Sequence, residues 1–180
     1  MSLIALAATV LLSSQTVPAP RYLEADVVRL ENCVFGRGEM TRCGDFSAEV
    51  EALETCTSQA NLSGGPEAFV EAWHICVDFI FPCWWEKPEP DQTSLVLRNC
   101  SARGVAARKV IGARWLSQLA QQLTPADQVL LEQVKKQTFE GLEMPERSDD
   151  PLRASARWSG TWGTYLLFLR TVQLSGKVNP

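Results

Sequence analysis

The sequence predicts an all-α fold, a small disulfide-linked bundle of about five to six helices with no significant sheet. Three observations predict it. Apolar residues recur at spacings of three and four along most of the chain, and no useful stretch alternates apolar with polar. Six cysteines, an even number, follow an apolar N-terminal segment, which reads as a disulfide framework. With 180 residues, 46% of them hydrophobic, the chain suits one domain with a real core.

The first twenty residues, MSLIALAATVLLSSQTVPAP, carry no charge. Leu3 to Leu12 has the length of a signal h-region and falls short of the roughly 20 apolar residues that span a bilayer. Residues 1–20 therefore read as a secretory signal peptide, although the usual Lys or Arg ahead of the h-region is missing. Val17-Pro18-Ala19 fits the small-residue cleavage rule while Pro20 opposes it, so the cleavage site stays open. The implied location is periplasmic or secreted, with no transmembrane segment after cleavage. Residues 21–180 form a single helical domain.

Within that domain, Leu23, Val27, Leu30 and Val34 give a first apolar stripe over residues 22–34, ended by Gly36 and Gly38. Asp45 is placed to cap a second helix with Phe46, Val50, Leu53 and Cys56 on one face. After the turn NLSGGP, Pro66 opens a third helix through Phe69, Trp73, Cys76 and Phe79, stopped at Pro82. The segment WWEKPEPDQT is a loop. Residues 93–122 hold no proline and read as one long helix, in which Gly104 and Gly112 mark a kink or a close helix contact. Thr124-Pro125 with Asp127 is a strong helix start, and the helix runs on through Phe139. EMPERSDDP reads as a polar loop. The final helix is expected over Thr164 to Leu174, entered through a tight glycine turn in WSGTWG that delivers Tyr165, Leu166 and Leu169 to the core.

The cysteines are Cys33, Cys43, Cys56, Cys76, Cys83 and Cys100, for which fifteen pairings are possible. Cys76 and Cys83 lie roughly 10 Å apart on a continuous helix, beyond the reach of about 7 Å that a disulfide allows, so they pair only if the helix breaks before Pro82. With no Cys-x2-Cys pair and His74 as the single histidine, no metal site is read.

A net charge of -4 argues against a nucleic-acid binder. Charge is unevenly spread: -9 from Arg21 to Asp91 and +5 from Gln92 to the end. Either the two halves pack and neutralise each other, or the acidic half faces a cationic partner. No catalytic signature emerges. His74 lies in no recognisable motif, Glu49, Glu51 and Glu54 read as a solvated helix face, and the GRG at Gly36 is too short for a phosphate loop. The chain is therefore read as a non-enzyme without a cofactor. The candidate binding residues are the tryptophans Trp84, Trp85, Trp158 and Trp162, because Trp is enriched at hot spots and its flat ring stacks on sugars. To these is added the basic run Arg98, Arg103, Arg108 and Lys109, suited to an acidic glycan or anionic surface.

Three stretches in order carry a resemblance: Cys76-VDFIFP-Cys83 followed by LRNC to Cys100, then LAQQLTPADQVLLEQVKKQ from Leu119 to Gln137, and RWSGTWGTYLLFLRTVQLSGK from Arg157 to Lys177. Over about residues 56–177 the chain resembles the lysozyme-inhibitor LprI-like domain family of secreted bacterial proteins. That resemblance implies a secreted binding protein acting by surface complementarity on a lysozyme-type glycosidase. The alternative partner is a cell-envelope component, either peptidoglycan or another envelope protein. The departures are concentrated. Gly104, Arg108, Lys109, Gly112, Ala113 and Leu116 stand where the family shows a Glu, a Trp-Asp, a Leu-Asn and an aromatic. The Trp and Arg-Asp of the next family helix are absent near Thr138 to Leu142. Met144 and Phe168 stand near places where relatives carry cysteines, so packing by Phe168 is expected to replace a crosslink.

Overall fold

The computed structural model describes residues 21–36, 39–59, 76 and 89–178. The expected signal peptide, the third helix apart from Cys76, and His74, Cys83, Trp84 and Trp85 lie outside the described residues. Every regular element among the described residues is helical: α1 (Glu24–Phe35), α2 (Ser47–Gln59), α3 (Thr93–Ala120), α4 (Pro125–Phe139) and α5 (Pro151–Val178), with short 3-10 turns at Met40–Arg42 and Pro145–Arg147. No helix among them is long and apolar enough to cross a membrane.

α3 is the axis of the molecule. Its 28 residues run without a break, about 42 Å at 1.5 Å per residue, and it packs against α1, α2 and α5. A helix flanked on three sides cannot be amphipathic in the ordinary sense, and Gly104, Val105, Ala106, Ala107 and Arg108 are buried in succession. The small side chains let the neighbours approach closely. Gly112 is one of the two glycines singled out in the sequence, and it marks a contact: a Cβ there would lie 3.2 Å from both Leu166 and Trp162 of α5.

α1 buries Val27, Glu31, Val34 and Phe35. This corrects the expected stripe at its start, because Leu23 is 70% exposed and only flanks the helix. Glu31 enters the buried face instead, because donors await it. Arg98 of α3 donates to its carboxylate through Nε at 3.0 Å and Nη2 at 2.6 Å, and the Ser155 hydroxyl of α5 donates at 2.7 Å. Cys33 is bonded to Cys43, stapling the end of α1 to the following turn, and Cys56 is bonded to Cys76. Cys100 is also disulfide-bonded. Just ahead of α2, Asp45 accepts from the Ser47 backbone N–H at 2.9 Å, and hydrogen bonds from the Ser47 hydroxyl first and its backbone N–H second hold the carboxyl below the usual range. Phe46, Val50 and Leu53 are buried as expected. Thr124 caps α4, its hydroxyl accepting from the Asp127 N–H at 3.3 Å, with Pro125 in the first turn.

The largest correction concerns WSGTWG. It is not a turn. α5 is continuous from Pro151, with Asp150 accepting from the Arg153 N–H at 3.0 Å at its entrance. Ala154, Ser155, Trp162, Tyr165, Leu166, Leu169 and Gln173 form one buried stripe at spacings of three, four and seven, with the half-buried Trp158 between Ser155 and Trp162. Two glycines in four residues outweighed that periodicity in the sequence reading, but each costs only about 1 kcal/mol in a helix interior. Tertiary packing on α3 supplies far more. Phe168 does not replace a crosslink: it is 37% exposed, and its ring stacks on Tyr165 with centroids 6.4 Å apart.

Two outcomes test this account. A Cβ on Gly160 would meet nothing within 4 Å, so Gly160→Ala raises stability by about 0.5–1 kcal/mol in urea unfolding; a loss would restore the turn. Glu31→Leu strands a buried guanidinium and costs about 3–5 kcal/mol, whereas the double variant Glu31→Leu, Arg98→Met recovers most of that loss. Equal losses in the single and double variants would show that packing, not charge pairing, dominates the junction.

Candidate functional site

The basic run turns inward. Arg98 is buried on Glu31, and the hydrogen bonds it donates to that carboxylate raise its pKa further. Its other terminal nitrogen lies 3.7 Å from Glu24. Arg103 pairs with Glu49 of α2, donates to the Asp45 carbonyl at 3.2 Å and lies over the Phe46 ring. The buried Arg108 donates to Ser159 of α5 at 2.8 Å. Nearly two turns further along α3, Arg114 meets both oxygens of Glu54 at 2.7 and 2.8 Å. Among the described residues, four acids of the N-terminal segment, Glu24, Glu31, Glu49 and Glu54, thus pair with arginines of the basic helix. Three of the four residues offered as a basic surface, Arg98, Arg103 and Arg108, serve these internal contacts.

Lys109 differs. Its ammonium donates to the carbonyls of Val34 and, at 3.2 Å, Gly36, closing the C-terminal end of α1, where helix carbonyls lack intrahelical partners. A Cβ on Gly36 would fall 2.5 Å from the Asn32 carbonyl oxygen, so glycine is needed at this exit. Beyond that exit a groove of about 1100 Å³ opens. α1 contributes Phe35 and Gly36, α3 contributes Lys109, and α4 contributes Glu132, Lys135, Lys136 and Phe139. The following loop adds Leu142, Met144 and Arg147, and α5 adds Trp158 and Trp162.

Its aromatic wall is continuous. Trp158 stacks on Phe35 at 5.4 Å between centroids and 24° between planes, and on Phe139 at 6.0 Å and 28°. Phe139 in turn lies 4.7 Å from Trp162. Trp158 is half-buried, and its indole N–H is anchored on the Glu143 carbonyl at 3.0 Å. Trp162 is 7% exposed, and its indole nitrogen has no hydrogen-bond partner. A buried donor without an acceptor is costly. Desolvation chiefly, and the nearby Lys135 charge after it, bring Lys109 from 10.5 down to about 8. Burial first, then Glu132, pushes the Tyr165 hydroxyl up.

The structure thus brings together Trp158, Trp162 and Lys109 from the sequence candidates. Sequence reasoning missed Phe35, Lys135, Lys136, Phe139 and Arg147. The only local trace was KKQTF at the end of α4, which reads as an ordinary amphipathic helix end. No protein-family model, curated protein or solved structure matches the chain.

Lys109 gives a pH prediction. Between about pH 8 and 10.5 the unfolded chain holds a proton on Lys109 that the folded chain has released, so this group's contribution to stability rises with pH across that window. Neutral or charged, the amine keeps two donors for its two carbonyls. In denaturant unfolding at pH 7 and pH 9.5, the stability of the wild type relative to Lys109→Met increases at the higher pH. A constant or falling difference would contradict the assignment.

Proposed function

We propose that the chain is a secreted, non-enzymatic binding protein that holds a cell-envelope component in this groove. The observation that carries the reading is the convergence, from five separate segments, of a flat aromatic wall with four cationic side chains against a single acid. Concave sites of roughly 300–1,000 Å³ with few placed polar groups are the usual form of small-ligand sites, and the groove, at about 1100 Å³, lies just above that range. The disulfides support an oxidising compartment.

The resemblance to the lysozyme-inhibitor LprI-like family supports a second reading, in which an acidic surface meets a cationic glycosidase. Glu24, Asp26, Glu39 and Glu51 are exposed and carry it. Glu31, Glu49 and Glu54 are already engaged by Arg98, Arg103 and Arg114, which favours the groove.

Cosedimentation with purified peptidoglycan sacculi tests the first reading, and lysozyme activity assays on the same oxidised protein test the second. Wild-type protein pellets with sacculi, Lys136→Glu reduces the pelleted fraction several-fold, and lysozyme retains full activity at high micromolar protein. Protein that stays in the supernatant while inhibiting lysozyme would replace the first reading by the second.

A further inference from the structure

We infer that α4 is a hinged flap, which lifts from α5 as one unit while α1, α2, α3 and α5 stay packed. It moves between the turn at Leu123-Thr124 and Gly141. Little holds it down, it covers an imperfect seam, and the chain leaves it through a permissive glycine.

α1 and α2 are fastened to α3 by the pairs of Glu31 with Arg98, Glu49 with Arg103 and Glu54 with Arg114, and each carries a disulfide. α4 has neither kind of tie. Among the described residues, no hydrogen bond or ion pair joins it to α5, the helix on which it packs, and its charge pair of Lys135 with Glu132 lies within the helix itself. Gln128 reaches back only to the Ala120 and Leu123 carbonyls, at 3.0 and 3.2 Å, at the exit of α3. Leu131 is the single buried side chain of α4, whereas the shorter α1 buries Val27, Glu31, Val34 and Phe35. Val129 and Leu130, aliphatic residues that could have anchored α4, are 60% and 59% exposed. A helix of 15 residues is marginal by itself in water, so α4 depends on this thin contact. Segments with few buried apolar side chains open at a lower free energy than the whole fold.

What α4 covers is poorly satisfied. Phe139 packs edge-on to Tyr165 with centroids 5.4 Å apart and lies 4.7 Å from Trp162. The Tyr165 hydroxyl and the Trp162 indole nitrogen are buried, and neither has a hydrogen-bond partner. Glu132 of α4 acts on that hydroxyl, second to burial, which sets it close to α4. With α4 closed, the hydroxyl forgoes a hydrogen bond that water supplies once α4 lifts, so the closed state carries a desolvation cost. Just past α4, Gly141 has a φ of +75°, and a Cβ there would meet nothing within 4 Å. Glycine passes between this left-handed region and ordinary backbone without steric cost. Glu132, Lys135, Lys136 and Phe139 ride on α4, so its opening removes one wall of the groove. No ligand is needed for this motion.

The test is native-state hydrogen exchange on the oxidised full chain in rising urea. Backbone amides from Leu131 to Phe139 exchange through one shared opening, populated about tenfold or more above the opening that exposes the centre of α3, and with a weaker urea dependence. Tyr165→Phe deletes the unpartnered hydroxyl and lowers the population of the α4 opening about fivefold. Gly141→Ala strains the closed turn and raises that population about fivefold. Exchange of α4 at the rate and urea dependence of α3 overturns the flap, and so does residue-by-residue fraying from its ends. Tyr165→Phe that slows exchange in α3 but not in α4 overturns the seam over Tyr165 as the place that opens. Gly141→Ala that leaves α4 exchange unchanged overturns the hinge.

Discussion

The Glu31 carboxylate is the point on which the packing of this molecule turns. It is fully buried, and its three donated hydrogen bonds come from two other helices, Arg98 of α3 and Ser155 of α5. Burying a carboxylate away from water costs several kcal/mol unless its lone pairs are met. Shifting α1 by one residue would rotate its face by about 100° and leave that charge without its donors. The junction therefore selects the rotation of α1 and the height of α5 along α3 together. Its net contribution to stability is modest, because the desolvation of both ions offsets most of their attraction. Its effect is on which arrangement is allowed.

Once that register is set, the remaining charges on α3 find partners in sequence along the helix. Arg103 reaches Glu49, Lys109 reaches the carbonyl end of α1, and Arg114 reaches Glu54. The exposed pair of Arg114 with Glu54 contributes little energy by itself in water. Taken together, the pairs align the acidic segment against the basic helix in one orientation. The same alignment delivers Phe35 and the exit of α1 to Trp158, and so builds one end of the groove. α4 buries only Leu131 among its residues and approaches from the side, leaving Lys135, Lys136 and Phe139 at the rim. The loop that follows returns under the groove through the buried Pro145 and ties Trp158 to Glu143. The groove is thus a by-product of how a peripheral helix and a returning loop meet the core formed by α1, α2, α3 and α5.

What the sequence determined by itself is what depends on neighbours along the chain. Helical class, the long central helix, the Thr124-Pro125 start and the buried faces of α2 and of Tyr165, Leu166 and Leu169 were all legible, because they follow from three- and four-residue periodicity and from capping chemistry. The exception was α5. Gly160 and Gly163 are local signals for a turn, and the local preference lost to packing against Gly112 and its neighbours, an interaction between residues about fifty positions apart. Only the tertiary structure decided the fate of the charges. A run of Arg and Lys on a helix reads the same in sequence whether it faces solvent or a carboxylate. Which occurs depends on Glu31, Glu49 and Glu54, which arrive from more than fifty residues away. The groove lies beyond sequence reading for the same reason: Phe35, Lys109, Phe139 and Trp158 share no local pattern, and their proximity is a property of the packed helices alone.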